Sequence, residues 1–211
     1  MVTLTDLGFK KGSIAETIVS TYNQDGSMNA APMGANFEDE RHLTISIYNS
    51  SKTLANIKTT RCGVVNLTDN IDVYYRTALK EANPSGLLPE EWFEKAQAVN
   101  APKLRLADAT VEVIRADLVR ASAEKTRVTF GVKRVWGEKC YPQVYCRAFG
   151  LTLEAIIHAT RVKVLGGSQK EQAHVNELLR KIRDCDMLVA RIAPNSSYTA
   201  VMADLLKRID A

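Results

Sequence analysis

A β-hairpin near the N-terminus sets the fold class of this sequence. Residues 13–22 (SIAETIVSTY) are rich in β-branched side chains that alternate between two faces, as a strand requires. Residues 23–27 (NQDGS) supply a tight turn, because Gly26 tolerates the positive φ that such turns use. The chain returns through residues 28–34, where Pro32 cannot donate to a strand ladder. The sequence therefore predicts a hairpin whose second strand is broken or lies at an edge near Pro32, which leaves backbone groups for other partners.

Further strands continue the β pattern over the first two thirds of the chain. Alternating or buried apolar segments predict strands at residues 43–48, 62–67, 109–118 and 126–136. Short helices are predicted at residues 53–59, 71–79 and 89–99, the last because proline suits a first helical turn. After Gly150, apolar stripes at helical spacing predict three more helices, over residues 151–164, 170–185 and 198–209. We therefore expect a mainly β protein with α-helices: a β-rich domain over residues 1–149 and a helical C-terminal subdomain over residues 150–211.

Charge and hydropathy limit the functional classes. The 211 residues carry a formal net charge of +4, and no run of Lys or Arg concentrates it, so no nucleic-acid partner is expected. No apolar run approaches the roughly 20 residues that span a bilayer, and the N-terminus lacks an apolar core of signal-peptide length. We therefore expect no membrane association and a cytoplasmic location.

Cysteine and histidine spacing gives no metal or redox motif. No C-x-x-C pair occurs, so reduced thiols are expected at Cys62, Cys140, Cys146 and Cys185. The histidines are scattered through the chain and predict no metal site: His42, His158 and His174.

A cluster of hydroxyl side chains and one lysine precedes the predicted helix at residues 53–59. The segment Ser50-Ser51-Lys52-Thr53 combines neutral donors, a positive charge and a helix start, whose first amides lack partners and suit an anion. A phosphate monoester fits such a site. An ordinary N-cap with Lys52 in water explains the segment equally well, and it is the simpler explanation when the segment is taken alone.

The returning strand of the hairpin is built from small residues. Its sequence, Asn29-Ala30-Ala31-Pro32-Met33-Gly34, predicts a smooth surface with accessible backbone amides and carbonyls, against which a planar heterocycle could lie. A tightly packed strand facing a helix or another subunit is the simpler explanation of this feature alone.

The order of these two features resembles a known superfamily. A small-residue strand, a turn, an alternating strand and a Ser/Thr-rich helix start ending in Asn-Ile is the layout of FMN-binding split barrels, which include flavin-reductase-like and pyridoxamine-phosphate-oxidase-like proteins. Residues 52–57 (KTLANI) resemble the D-T-x-x-N-I segment of flavin reductases, with Lys52 in place of the acidic residue.

The chain more closely resembles a mostly archaeal family of uncharacterised FMN-binding split-barrel proteins. Their opening, E-T-I-V-T-T-Y-N-x-D-G-x-x-N-A-A-P-M-G, is present at residues 16–34 with Ser20 for one threonine. Further matches at residues 64–69 and 147–161 extend the resemblance over nearly the whole chain.

This resemblance implies a fold, a cofactor and a set of binding residues. The implied fold is an antiparallel six-stranded Greek-key split barrel with a small helical C-terminal subdomain. The implied assembly is a homodimer with FMN near its interface. By position, the phosphate and ribityl chain are assigned to Ser50, Ser51, Lys52, Thr53 and Asn56. The isoalloxazine ring is assigned, largely through backbone atoms, to Asn29, Pro32, Met33 and Gly34, with Tyr48 bordering the ring.

The function implied by the resemblance is that of an FMN-dependent oxidoreductase with an unassigned electron donor and acceptor. In such proteins the cofactor carries the hydride chemistry, so no catalytic side chain is assigned. The alternatives are a non-catalytic flavin-binding protein and a dimeric interaction protein without flavin. Arg147 and Arg161 either add positive charge near a ligand or form helix-end ion pairs. His158, one turn after Glu154, either transfers a proton or forms a surface pair.

Overall fold

The computed structural model describes residues 2–137 and 146–209, so Cys140 lies outside the described residues. The chain divides into two compact units, and each is described by itself. The first contains Met1–Thr68 and Asn83–Cys140, and the second contains Asp69–Ala82 and Tyr141–Ala211. The domain boundary expected after residue 149 stays a prediction.

The first unit is a closed antiparallel β-barrel. Its strands, in chain order, are β1 (Ile14–Tyr22), β2 (Met28–Asp39), β3 (His42–Tyr48), β4 (Cys62–Leu67), the short β5 (Phe93–Lys95) and β6 (Pro102–Leu104), then β7 (Ala109–Arg120) and β8 (Lys125–Gly137). Six of these close the barrel in the order β1-β2-β3-β8-β7-β4, while β5 and β6 form a separate two-stranded sheet. The expected antiparallel Greek-key barrel is confirmed.

The barrel core is closed by a short helix, α1 (Lys52–Thr60). Inward side chains of the strands, such as Val19, Ile45 and Phe130, pack with the helix residues Leu54 and Ile57, and all five are fully buried. Burial of each such side chain contributes about 1.5–3 kcal/mol. The core therefore fixes the position of α1 on the barrel and with it the position of the helix N-terminus.

Two segments differ from the sequence-based expectation. Strand β2 continues to Asp39, beyond the residues 28–34 expected for it, because its last residues pair with β3. The prediction of a helix at residues 89–99 is wrong. Residues 90–92 form one 3₁₀ turn, and the chain then enters β5 and a loop. The buried carboxylate of Glu112 accepts hydrogen bonds from the amides of Gln97, Ala98 and Val99, so a distant residue determines this loop.

The second unit is helical. It contains α2 (Ile71–Ala78), α3 (Arg147–Leu165), α4 (Gln172–Ile192) and α5 (Ser197–Ile209), so the three helices predicted after Gly150 are confirmed. The Tyr75 hydroxyl on α2 donates to Asp204 on α5 at 2.6 Å and accepts from Arg208 at 3.1 Å. Burial raises the pKa of Tyr75, which keeps the hydroxyl protonated as a donor. Among the described helices, none is both long enough and apolar enough to cross a membrane.

Candidate functional site

The barrel is split between the first half of β2 and the second half of β3. The ladder between these strands begins at the pair Ala35 and Ile45, whereas residues 28–34 of β2 pair with β1. A strand has two hydrogen-bonding edges, so residues 31–34 present an edge that no other strand of the described chain covers. These four residues are half-buried. The open edge that the sequence predicted near Pro32 is confirmed.

The N-terminus of α1 has unpaired amides. The Ser51 hydroxyl accepts a hydrogen bond from the Leu54 amide at 3.1 Å, so Ser51 is the N-cap. Within the described ranges, the amides of Lys52 and Thr53 have no hydrogen-bond acceptor. The first turn also contains no acidic residue. This helix end therefore presents two free donors and the positive end of the helix dipole.

A buried polar network joins α1 to the β1–β2 hairpin. The Thr21 hydroxyl accepts from the amide nitrogens of Asn29 at 3.2 Å and Asn56 at 3.0 Å. The Asn29 amide also donates to the Thr53 hydroxyl at 3.0 Å, and the Asn56 amide donates to the Asn23 side-chain oxygen at 2.9 Å. Buried polar groups are costly unless they are paired, so this network specifies one placement of the helix N-terminus against β2.

Three of the predicted site residues belong to this network, where their side chains support the backbone of the site. Asn29 and Thr53 are each 1% exposed and Asn56 is 6% exposed, and their side chains bond to one another or to the hairpin. They fix the backbone of the helix start. Thr21 and Asn23 complete the network and were not predicted. Strand alternation places Thr21 on the same face as Val19, which is buried in the core. A polar residue on a core-facing side is therefore the signal that could have identified Thr21.

Three other predicted site residues are exposed. Ser50 lies in the turn after β3, and the Lys52 side chain points to solvent at the start of α1. Tyr48 is 43% exposed at the end of β3, where the Lys125 ammonium lies 4.4 Å from its ring centroid. Hydrogen bonds from Ser27 hold the pKa of Asp25 below its usual range, with a smaller contribution from Lys52. Asp25 in the hairpin turn therefore lies close enough to Lys52 for the two charges to interact.

The remaining predicted residues follow Asn29 along the open edge of β2. At about 3.3 Å per residue, Pro32 lies about 10 Å and Gly34 about 16 Å beyond Asn29, so the arrangement suits an elongated ligand. The Thr17 hydroxyl donates to the Met33 carbonyl at 2.7 Å. A Cβ added at Gly34 would lie 2.6 Å from Cγ2 of Ile14, so a larger residue at this position would displace the Ile14 side chain.

The other candidates lie in the helical unit, on α3. His158 is buried, with Nε2 3.5 Å from the Glu154 carboxylate, and burial lowers the pKa of its imidazole. This arrangement is a pair within one helix, and Arg161 of the same helix is exposed. Among the described residues there is no group of three or more His, Cys, Asp or Glu side chains that could hold a metal ion.

The network can be tested with Asn56→Ala. This change removes one buried and one partly buried hydrogen bond, and we expect the barrel unit to lose about 2 kcal/mol of unfolding free energy. Both tryptophans, Trp92 and Trp136, belong to this unit, so urea unfolding followed by tryptophan fluorescence reports on it. The control is Gln24→Ala, which removes an exposed amide from the same hairpin. Equal stability of the two variants would contradict a structural role for the network.

Comparison with known proteins gives a family and a fold. Residues 15–140 match the family described as "Protein of unknown function (DUF447) N-terminal domain". The structure of the FMN-bound protein MM1853 from Methanosarcina mazei, of the same family, is 24% identical with a TM-score of 0.77, over 98% of this chain and 99% of that chain. No curated protein matches the sequence.

More distant structures share the barrel. Flavin reductase HpaC in complex with NADP+ is 18% identical with a TM-score of 0.51, over 67% of this chain and 91% of that chain. The 2-nitrobenzoate 2-nitroreductase of Pseudomonas fluorescens is 17% identical with a TM-score of 0.50, over 65% and 73% respectively. At these identities, the likeness establishes the fold.

Proposed function

We propose, from the premise that this chain belongs to the DUF447 family, that it binds FMN at the split of its barrel and acts as a flavin-dependent oxidoreductase. The family membership confirms the resemblance seen in residues 16–34. The observation that carries the proposal is the junction of a helix N-terminus with unpaired amides and an uncovered edge of β2. In the same fold, MM1853 is an FMN-bound protein.

The phosphate end of the ligand is assigned to the start of α1. The amides of Lys52 and Thr53 are free donors, and the Lys52 ammonium adds a charge that a phosphate dianion would attract. Ser50 is exposed beside them and supplies a hydroxyl. The side chains of Thr53 and Asn56 hold the helix start in place through the buried network, so their contribution is one of position.

The ring end is assigned to residues 31–34 of β2. These residues are uncharged, half-buried and open along one edge, so a flat heterocycle can exchange hydrogen bonds with the backbone while covering apolar surface. Pro32, Met33 and Gly34 therefore contact the ring largely through the main chain. Tyr48, at the end of β3, borders the site, with its ring already in contact with Lys125.

The phosphate assignment is tested by comparing FMN with riboflavin, which lacks the phosphate. We expect Lys52→Gln to weaken FMN binding about fivefold, about 1 kcal/mol for an exposed charge, and to leave riboflavin binding unchanged. The measurement is quenching of flavin fluorescence on titration with the protein. The matched control is Lys58→Gln, an exposed lysine in the last turn of the same helix. An equal loss in both variants would contradict the assignment.

The oxidoreductase assignment requires an electron donor, and nicotinamides are tested because they supply two electrons as a hydride. Anaerobic NADH or NADPH should pass a hydride to the bound flavin and bleach its visible absorbance, and an added electron acceptor should restore the colour through repeated turnover. Dithionite serves as the positive control for reducibility. If dithionite bleaches the bound flavin while neither nicotinamide does, the reductase activity proposed with these donors is excluded, and a flavin-binding role is favoured.

A homodimer with the flavin site near its interface is part of the proposal. It is supported by Ile14, which is 65% exposed at the start of β1 and packs beside Gly34 at the uncovered strand segment. A large apolar side chain at this place suits contact with a second copy of the chain. We expect Ile14→Arg to shift the sedimenting species from dimer to monomer. The control Leu87→Arg alters a side chain that is 69% exposed in a loop, and it should remain dimeric. A monomeric parent protein would refute this part of the proposal.

A further inference from the structure

A pocket lies in the barrel unit, at the opposite end of α1 from Ser51. It has a volume of about 420 Å³, within the range of small-molecule sites. Its lining includes Arg61, Cys62, Val99, Asn100, Ile114 and Arg115. We call it the Arg61–Arg115 pocket. Since α1 has nine residues and rises about 1.5 Å per residue, the pocket lies more than about 10 Å from the helix N-terminus.

The pocket brings together two arginines that are distant in sequence. The Arg115 amide donates to the Arg61 carbonyl at 2.7 Å, which places the two residues side by side. Within the described residues, neither guanidinium forms an ion pair with a carboxylate, and no residue lining the pocket is acidic. Two like charges that share a pocket repel each other, so an anion between them would be stabilised.

Capping of the helix C-terminus accounts for only part of this arrangement. The backbone N–H of Arg61, in the left-handed conformation with φ of 61°, donates to the Ile57 carbonyl at 3.1 Å. The Arg115 guanidinium donates one hydrogen bond, from Nη1 to the Lys58 carbonyl at 3.3 Å. A guanidinium has five N–H donors. Most donors of Arg115 and the whole side chain of Arg61 are therefore not needed by the helix end.

The loop that lines part of the pocket is held in place by a buried carboxylate. Glu112 is 2% exposed and accepts hydrogen bonds from the amides of Gln97, Ala98 and Val99. The Cys62 thiol donates to the Asn100 carbonyl at 3.3 Å, and burial raises its pKa, so it remains a neutral structural donor. The loop therefore forms a defined wall beside the sheet.

The pocket also offers apolar and amide surface. Ile114, paired with Cys62 across β4 and β7, is half-buried, and Val99 is buried in the loop beside it. Asn100 is exposed in the same loop. A ligand that contacts both the arginines and these side chains needs an oxyanion joined to an apolar body.

We propose that the Arg61–Arg115 pocket binds a small organic anion with a phosphate or carboxylate group and an apolar body. The oxyanion lies between the two guanidinium groups, and the apolar body contacts Ile114 and Val99. This site is separate from the flavin site at the other end of α1, and the inference does not rest on flavin binding.

The test uses phenyl phosphate and benzoate as probes on the full-length chain, with phenol as the uncharged comparison. Amide chemical shifts from NMR should move on titration at Arg61, Asn100 and Arg115, with saturation for at least one anion and none for phenol. The titration is run with and without excess FMN. We expect the probe to move these amide shifts equally with and without FMN. Displacement of the probe by FMN would place the anion in the flavin site and overturn the proposal. Because each titration reads amides at this pocket, failure of FMN to bind leaves the result interpretable.

Variants separate the pocket from general positive charge. Arg61→Gln and Arg115→Gln should each weaken probe binding at least about tenfold by calorimetry, about 1.4 kcal/mol. The control Arg41→Gln removes an exposed arginine of the same unit and should bind like the parent. Equal weakening in all three variants, or absence of saturable shifts for both anions in the parent protein, would overturn the proposal. The shift measurement needs no variant, so it decides the question even if a variant fails to fold.

Discussion

The hydrogen bonds that Thr21 accepts from Asn29 and Asn56 hold the rest of the site in register. They join the hairpin to α1 inside the protein, where an unpaired amide costs about 1–3 kcal/mol, so slippage of the helix against the strand is penalised at several atoms together. The apolar residues of α1 anchor the helix in the barrel core but specify its rotation less precisely. The polar pairing therefore fixes the direction in which the unpaired amides of the helix start point. The adjacent edge of β2 is uncovered because its ladder to β3 begins only at Ala35.

Helix α1 gives the barrel unit two different anion-attracting ends. At its N-terminus, the attraction comes from free amides and one lysine. At its C-terminus, where the helix dipole is negative, the attraction comes from two arginines. Their side chains have more N–H donors than the carbonyls of the helix end accept. The first end sits beside a smooth strand edge and suits a flat extended molecule. The second sits beside a loop held by Glu112 and suits a compact one.

Local sequence patterns predicted the barrel strands and the C-terminal helices, because alternation and helical stripes report directly on which faces are buried. The resemblance, rather than the pattern, singled out the site residues. The loop at residues 96–101 was missed because its amides bond to Glu112, a partner supplied by a later strand. The pairing of Arg61 with Arg115 was missed for the same reason, since only the closure of β4 against β7 brings them together. Thr21 shares a strand face with the buried Val19, so its hydroxyl on that face is a weak local signal, whereas Asn23 has none that separates it from an ordinary turn residue.

The exposure of Lys52 makes one part of the proposed site dependent on the solvent and leaves the rest largely independent of it. An exposed charge is screened over about 8 Å at physiological ionic strength, whereas contacts of a ring with strand backbone and apolar surface are not. Rising salt would therefore erode the preference for a phosphorylated flavin before it eroded affinity for the ring system. At high salt concentration, the free amides of the helix start, which come from the backbone itself, would then supply most of the discrimination between the phosphorylated and unphosphorylated forms.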